Sequence, residues 1–321
     1  MRHSAMIWRA IPHQQPPWHK ARTPSVPLPT DRPHMRPLRL TLSLVFLAAL
    51  TGCTSLAPVA DWEQRLHGDA IVLLGEVHDN AAHHQQRLDV LRRAFNAGWR
   101  PAIAMEQFDR ERQADIERAR REKPRAAQHV INVAGLAGAG ARGDWAWDYY
   151  RPFVELALEF NVPLIAANLS TAAAGQVVRG GYAAVFDADA MQALGLATPA
   201  PADLQTAQER AMDAGHCGAL PPHMIPAMAR GQLARDAVMA AIVSRHAANG
   251  IVLLAGNGHV RRDTGMPRWL DSALLARTLA VGYLEASTAS AVEQRFDAVV
   301  RTPGVDRPDP CIAFKKRMKP P

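Results

Sequence analysis

Two carboxylates and two imidazoles stand at the ends of apolar runs in this chain of 321 residues. The segment AIVLLGEVHDN (70–80) runs into Glu76 and His78, PAIAME (101–106) ends in Glu106, and GIVLLAGNGH (250–259) ends in His259. A charge taken out of water without a partner is costly, so each of these side chains needs company at the end of its run. The i, i+2 spacing of Glu76 and His78 puts both on the same side of an extended chain. Two imidazoles and two carboxylates make a ligand set for a divalent metal, or an acid/base set whose pKa values are driven apart by neighbours. In a metal-dependent hydrolase the metal would lower the pKa of bound water, and Glu76 or Glu106 would take its proton. Taken one at a time, each residue also has a plainer role. Glu76 and His78 suit an ion pair, Glu106 a helix cap, His259 a loop position, and Gly256 with Gly258 a tight turn.

The elements that must position these groups are legible as alternating patterns. Strands are expected at 70–75, 101–106, 162–168, 250–256 and 277–285, the first four as continuous apolar runs of the kind that lie in parallel sheets covered on both faces. Asn80 is placed to cap a helix carrying Leu88, Leu91 and Phe95, which Gly98 stops. Further helices are expected near 148–160 and from about 224 to 248. Residues 170–222, rich in Ala, Gly and Pro, read as an inserted helical region, and the segment from Pro303 as an extended tail. The expected fold class is α/β, a three-layer αβα arrangement around a mostly parallel central sheet. In such a sheet ligands bind beyond the carboxyl ends of the strands, where Glu76, His78, Glu106, Asn168 and His259 all fall.

The amino-terminal segment reads differently. From Met35 the sequence MRPLRLTLSLVFLAALTGC has the basic and apolar regions of a secretory signal, and the apolar run is shorter than the roughly 20 residues a membrane span needs. Its end, LTGC, resembles a bacterial lipobox, which would make Cys53 the lipidated first residue of the mature chain. Residues 1–34 are then expected to be an upstream segment ahead of the true start, 35–52 the signal peptide, 53–65 a tether, 66–314 a single domain and 315–321 a tail. Residues 1–52 hold seven Lys and Arg against Asp31 alone, so they carry six of the seven net positive charges. What remains is close to neutral and implies no nucleic acid. Of the three cysteines, Cys217 and Cys311 are left either as two unpaired thiols or as a disulfide, which an oxidising compartment favours.

Paired Gly-x-x-His motifs, Gly75–His78 and Gly256–His259, with a Glu after the second strand, resemble the Tiki/TraB superfamily. More narrowly, LLGEVHDN, AMEQF, YYRPFVELA with PLIAANLS, HCGALPPHM, RDAVMA and LLAGNGHVRRDTGMPRWL are similar, in that order, to the ChaN-like haem-binding lipoproteins. The resemblance spans about residues 66–314. It implies an αβα domain tethered to a membrane and tied to haem or iron uptake, with haem stacked across a homodimer. It carries the functional positions of the superfamily's peptidase and esterase branches onto Glu76, His78, Glu106 and His259, with Arg235 of RDAVMA matching a motif arginine. The recurrence of HCG and DPC implies the Cys217–Cys311 bridge.

The haem ligand is less determined. No Cys-x-x-Cys-His occurs, so covalent attachment is not expected, and a His or Tyr would serve as axial ligand. Candidates are Tyr149 and Tyr150 in GDWAWDYYRP, His216 beside Cys217, and His83. Arg142 and Arg151 stand near the aromatic segment as partners for propionates, although Trp145, Trp147 and Tyr150 also suit plain packing of a helix onto the sheet. Three readings follow: a lipid-anchored haem carrier, a metal-dependent hydrolase, and a structural envelope protein. The carrier is favoured, with haem as ligand, a divalent metal as the alternative cofactor, and the bacterial outer membrane facing the periplasm as location, with which Thr54 is compatible.

Overall fold

The identical runs Ile71–Leu74 and Ile251–Leu254 have no polar face, so each needs cover on both sides. In the computed structural model, which describes residues 61–68, 70–136, 145–309 and 311–312, they lie side by side at the centre of the sheet. The chain divides into units 1–56 and 57–321, and the described residues belong to the second. The signal segment, Cys53, Arg142 and the residues after 312 lie outside the described residues.

The strands are β1 (Ile71–Leu74), β2 (Ala102–Asp109), β3 (Leu164–Asn168), β4 (Ile251–Leu254), β5 (Thr278–Glu285) and β6 (Ala298–Thr302). Their order is β3-β2-β4-β1-β5-β6, and every pairing is parallel. The helices are α1 (Ala81–Asn96), α2 (Gln113–Glu122), α3 (Ala127–Val130), α4 (Trp147–Glu159), α5 (Thr171–Gly180), α6 (Ala188–Ala193), α7 (Ala202–Gly215), α8 (Ile225–His246), α9 (Asn257–Val260) and α10 (Ser272–Ala276). The α/β class, the parallel sheet and the five expected strands are all present. The Ala-rich segment between β3 and α8 is helical, as α5, α6 and α7. Asn80 caps α1 through bonds from the Ala82 and His83 amides.

Side-chain parity divides the core into two halves. Val72, Leu74, Ile103, Met105, Val252 and Leu254 point toward Leu91 and Phe95 of α1 and Phe153 and Val154 of α4. Ile71, Leu73, Ala102, Ala104, Ile251 and Leu253 point the other way, toward Ala234, Val238, Met239 and Ile242 of α8. This period-2 alternation also decides where the polar groups at the strand ends go. A disulfide joins Cys217 to Cys311 across 94 residues of sequence. In the chain-entropy account such a closure contributes about 4–5 kcal/mol.

The edge strand β3 is covered by a side chain. Gln113 of α2 donates to the Leu164 carbonyl at 3.2 Å and accepts from the Ala166 amide at 2.8 Å. Those are the two bonds a neighbouring parallel strand would make, and Arg120 takes the Val162 carbonyl at 2.8 Å. Gln113→Ala is expected to cost about 1–3 kcal/mol by orphaning that edge, read as a lower urea midpoint together with increased light scattering.

Candidate functional site

The chain leaves the centre of the sheet from β1 toward β2 and β3, returns to fill the slot between β1 and β2 with β4, and then crosses to β5 and β6. The strand order therefore reverses beside β1 and β4, the position at which open α/β sheets form their crevice. Both Gly-x-x-His turns emerge there, and the Asn257 amide donates to the Glu76 carbonyl at 2.9 Å. A methyl group placed on Gly256 would lie 2.9 Å from His78 Cε1, so glycine is required for the His78 ring to rest against this turn.

Glu76 continues the parity of Leu74 and enters the α1/α4 half. Its Oε1 accepts from the Tyr150 hydroxyl at 2.7 Å and faces His78 Nδ1 at 2.8 Å, while Oε2 is ion-paired with Arg87. Arg87 is fully buried and also donates to the Leu74 carbonyl at 3.1 Å and to His84 Nδ1 at 3.0 Å. His84 Nε2 donates to the His78 carbonyl at 2.9 Å, which fixes its tautomer. Burial and neighbouring His78 lower the His84 pKa to about 4, although the bond to the His78 carbonyl and Asp79 oppose the change. His84 Nδ1 lies 3.2 Å from Glu76 Oε2, but as a neutral acceptor of the Arg87 proton it forms no ion pair with that carboxylate. With Nδ1–H held by Glu76, His78 presents Nε2 as its lone-pair nitrogen. Its side chain is 50 % exposed, and Trp145 stands edge-on at 4.9 Å.

Glu106 continues the parity of Ala104 and enters the opposite half, toward α8. Beyond Met105 the pairing of β2 with β3 shifts register, and Phe108 turns back to the α1/α4 side. Glu106 Oε2 accepts from the Gly256 amide at 2.8 Å, and Oε1 lies 3.6 Å from His259 Nε2. His259 Nδ1 faces Asp236 Oδ1 at 2.6 Å, and Gln208 donates to Asp236 Oδ2 at 3.1 Å and to the Thr264 carbonyl at 3.0 Å. Burial disfavours the charged form of His259, but Asp236 and Glu106 outweigh it and raise its pKa to about 9. Burial would raise the Glu106 pKa, yet His259, His78 and the Gly256 amide bring it below the usual range. Burial raises the Asp236 pKa as well, so His259 and Asp236 hold their proton as a tightly coupled pair beside Glu106.

Glu76, His78, Glu106 and His259 meet at one rim, but parity sends the two glutamates to opposite faces of the sheet, and both nitrogens of His259 face carboxylates. Among the described residues no group of three or more His, Cys, Asp and Glu side chains is arranged to hold a metal ion. The four side chains are divided between two ion-paired networks, Glu76 with Arg87 and Glu106 with His259. Arg235 lies to the side. It donates to Asn168 Oδ1 at 2.6 Å and to the Leu169 carbonyl at 2.8 Å, holding the end of β3.

Two of the haem candidates are out of reach. Tyr150 is fully buried, its hydroxyl committed to Glu76, and burial raises its pKa. His83 is fully buried and accepts the Val77 amide at 2.9 Å, and its pKa falls to about 4, chiefly through burial. Tyr149 is half-buried and stacks on His84 at 4.7 Å. His216 follows α7, with Nδ1 against the Met212 carbonyl at 2.7 Å. A cavity of about 360 Å³ opens between the two sides, lined by Glu76, Val77 and His78 opposite Gln208, Ala211 and Met212 of α7, with Asp236 and His259 at its base.

A family described as haem-binding uptake, Tiki superfamily, ChaN matches residues 62–270. The chain belongs to this family. Among solved structures, ChaN of Campylobacter jejuni with cofacially bound haem is 19 % identical and superposes with a TM-score of 0.55, covering 71 % of this chain and 87 % of that one. The type III effector HopBA1 (13 % identity, TM-score 0.42, 75 % and 91 % covered) and an erythromycin esterase mutant, EreC, in its open conformation (12 %, 0.41, 69 % and 71 %) are too distant to bear on function. No curated protein matches the chain.

Arg87 and Asp236 carry the site and were not among the expected residues. Each stands on an apolar helical stripe, Arg87 with His84, Leu91 and Phe95, and Asp236 with Leu233, Ala237 and Val243. A charge on a buried stripe was the available signal. Arg87→Met is expected to cost about 3–5 kcal/mol by stranding the Glu76 carboxylate, and Glu76→Gln in the same chain should recover most of it, both read by urea unfolding. The folded pKa of His259 lies above its unfolded value of about 6.5, so its contribution is complete below that pH and lost as pH rises to about 9. The melting temperature should decline across that window, and the decline should shrink in His259→Gln.

Proposed function

We propose that the chain binds haem as cargo at the carboxyl rim of its sheet and serves haem or iron uptake from a lipid anchor in the bacterial envelope. One observation at the rim carries the reading, in a family described as haem-binding. His78 is half exposed, with Nδ1 held by the buried Glu76 carboxylate and with Trp145 edge-on beside it. A carboxylate on the far nitrogen fixes the tautomer of a metal-binding imidazole and raises its basicity. The residues therefore fit an axially bound iron porphyrin. His78 Nε2 is the first donor, Tyr149 of α4 offers a phenol whose ring stacks on His84, and His216 stands just after α7. Aromatic side chains suit the flat face of a macrocycle, and Arg151 is the rim cation for a propionate.

The Campylobacter jejuni protein is named for cofacial haem binding, which supports a second copy of this chain closing over an exposed haem face. Membrane attachment rests on the lipobox at Cys53 alone. Among the described residues no helix is long and apolar enough to cross a membrane.

Hemin titrated into the purified chain is expected to give a saturable Soret band, lost or shifted in His78→Ala and retained in Tyr150→Phe. Loss in Tyr149→Phe instead would move the ligand to the phenol and leave the haem reading standing, whereas a wild-type chain with no saturable band would overturn it. Cys53→Ser should move the protein from the membrane fraction to the soluble fraction of expressing cells.

A further inference from the structure

The segment after β6 is tied at one end to residues beside His78 and at the other to the residue just beyond α7. Asn80 Nδ2 donates to the Pro303 carbonyl at 3.1 Å and to Glu285 Oε1 at 3.0 Å. Arg307 then forks two carboxylates at once. It reaches Asp79 at 2.9 and 2.8 Å and Glu285 at 3.0 and 2.7 Å, using Nε, Nη1 and Nη2. Paired forks of this kind fix geometry as well as charge. Four residues later Cys311 is bonded to Cys217.

The two attachment points are the two sides of the cavity. Asp79 directly follows His78, which lines one wall, and Cys217 comes just after α7, whose Gln208, Ala211 and Met212 line the other. Four residues reach at most about 14 Å when fully extended, so the stretch from Arg307 to Cys311 limits how far the His78 turn and the end of α7 can move apart. With the disulfide open, the α7 side keeps its packing but loses this tie.

We propose that the segment 303–309, closed by the Cys217–Cys311 bridge, forms an oxidation-dependent strut between the two sides of the cavity, which retains the bound ligand while the cysteines are joined and releases it when they are reduced. The ligand part rests on the haem reading, and the mechanical part does not. Both cysteines are partly exposed, so an external dithiol can reach them. Its thiolate attacks Cys311 Sγ, Cys217 leaves as a thiolate and is protonated, and the second thiolate of the dithiol frees Cys311 as the dithiol closes into its own disulfide. Two electrons and two protons pass to the protein.

The test compares the oxidised full chain, the same chain reduced and alkylated, the Cys217→Ser/Cys311→Ser variant and Arg307→Gln. Hemin loaded on each is transferred to excess apomyoglobin to give a dissociation rate. Opening the bridge should speed release about 10-fold with the Soret maximum unchanged, since the change lies in retention and not in the iron ligand. Arg307→Gln should fall between the two. Amide exchange read without hemin should quicken together at 76–80 and 205–216 in the opened forms. Equal release rates, or quickened exchange confined to 303–312, would overturn the strut. Absence of hemin binding in every form would overturn the haem reading, leaving the exchange pattern to decide the strut by itself. If the serine variant fails to fold, the reduced and alkylated chain and Arg307→Gln give the same comparison.

Discussion

A carboxylate buried at the end of a central strand sets the terms for the rest of the rim. Glu76 is accommodated there because Arg87 faces it from α1 and because Tyr150 and His78 occupy its other oxygen. Breaking such a pair leaves an uncompensated charge in a dry environment. The same bonds fix the histidine, since an imidazole held through Nδ1 presents only Nε2 outward. Arg87 in turn fixes His84, and His84 closes the circuit on the His78 backbone. The rim is therefore preorganised from below, by groups that no ligand needs to touch.

Strand parity explains why two similar polar sets coexist at one edge without merging. Glu76 follows Leu74 into the α1/α4 half of the core, and Glu106 follows Ala104 into the α8 half. Each finds a basic partner there, Arg87 on one side and the His259–Asp236 pair on the other. His78 lies between them, bonded to Glu76 and resting against Gly256, whose amide serves Glu106. The assembly is two salt-bridged networks hinged on one imidazole, which suits holding a ligand by a single donor.

Much of this was legible in the sequence, and the rest was hidden for definite reasons. The doubly covered strands announced themselves as unbroken apolar runs, the cap of α1 as Asn80, and the convergence of the polar ends as a consequence of parallel topology. β6 was missed because AVVRT is short and partly exposed at a sheet edge, with little hydrophobic signal. α2 was missed because its exposed face is a row of charges. The division of the four polar residues between two networks was not legible, because a list of residues at strand ends does not say which face each one enters; that depends on strand parity counted through a register shift. The bonding of Gln113 to β3 follows no local pattern, since it depends on where α2 comes to rest.

The winding order of the sheet carries a consequence for biogenesis. β1 and β2 are not neighbours, because β4 occupies the slot between them. A chain emerging amino terminus first from a ribosome or a translocation channel holds that slot open until residues 251–254 arrive. Only then are the two Gly-x-x-His turns side by side. A truncated or stalled chain thus presents an unzipped sheet, and the rim that joins the two turns exists only once nearly the whole chain is available.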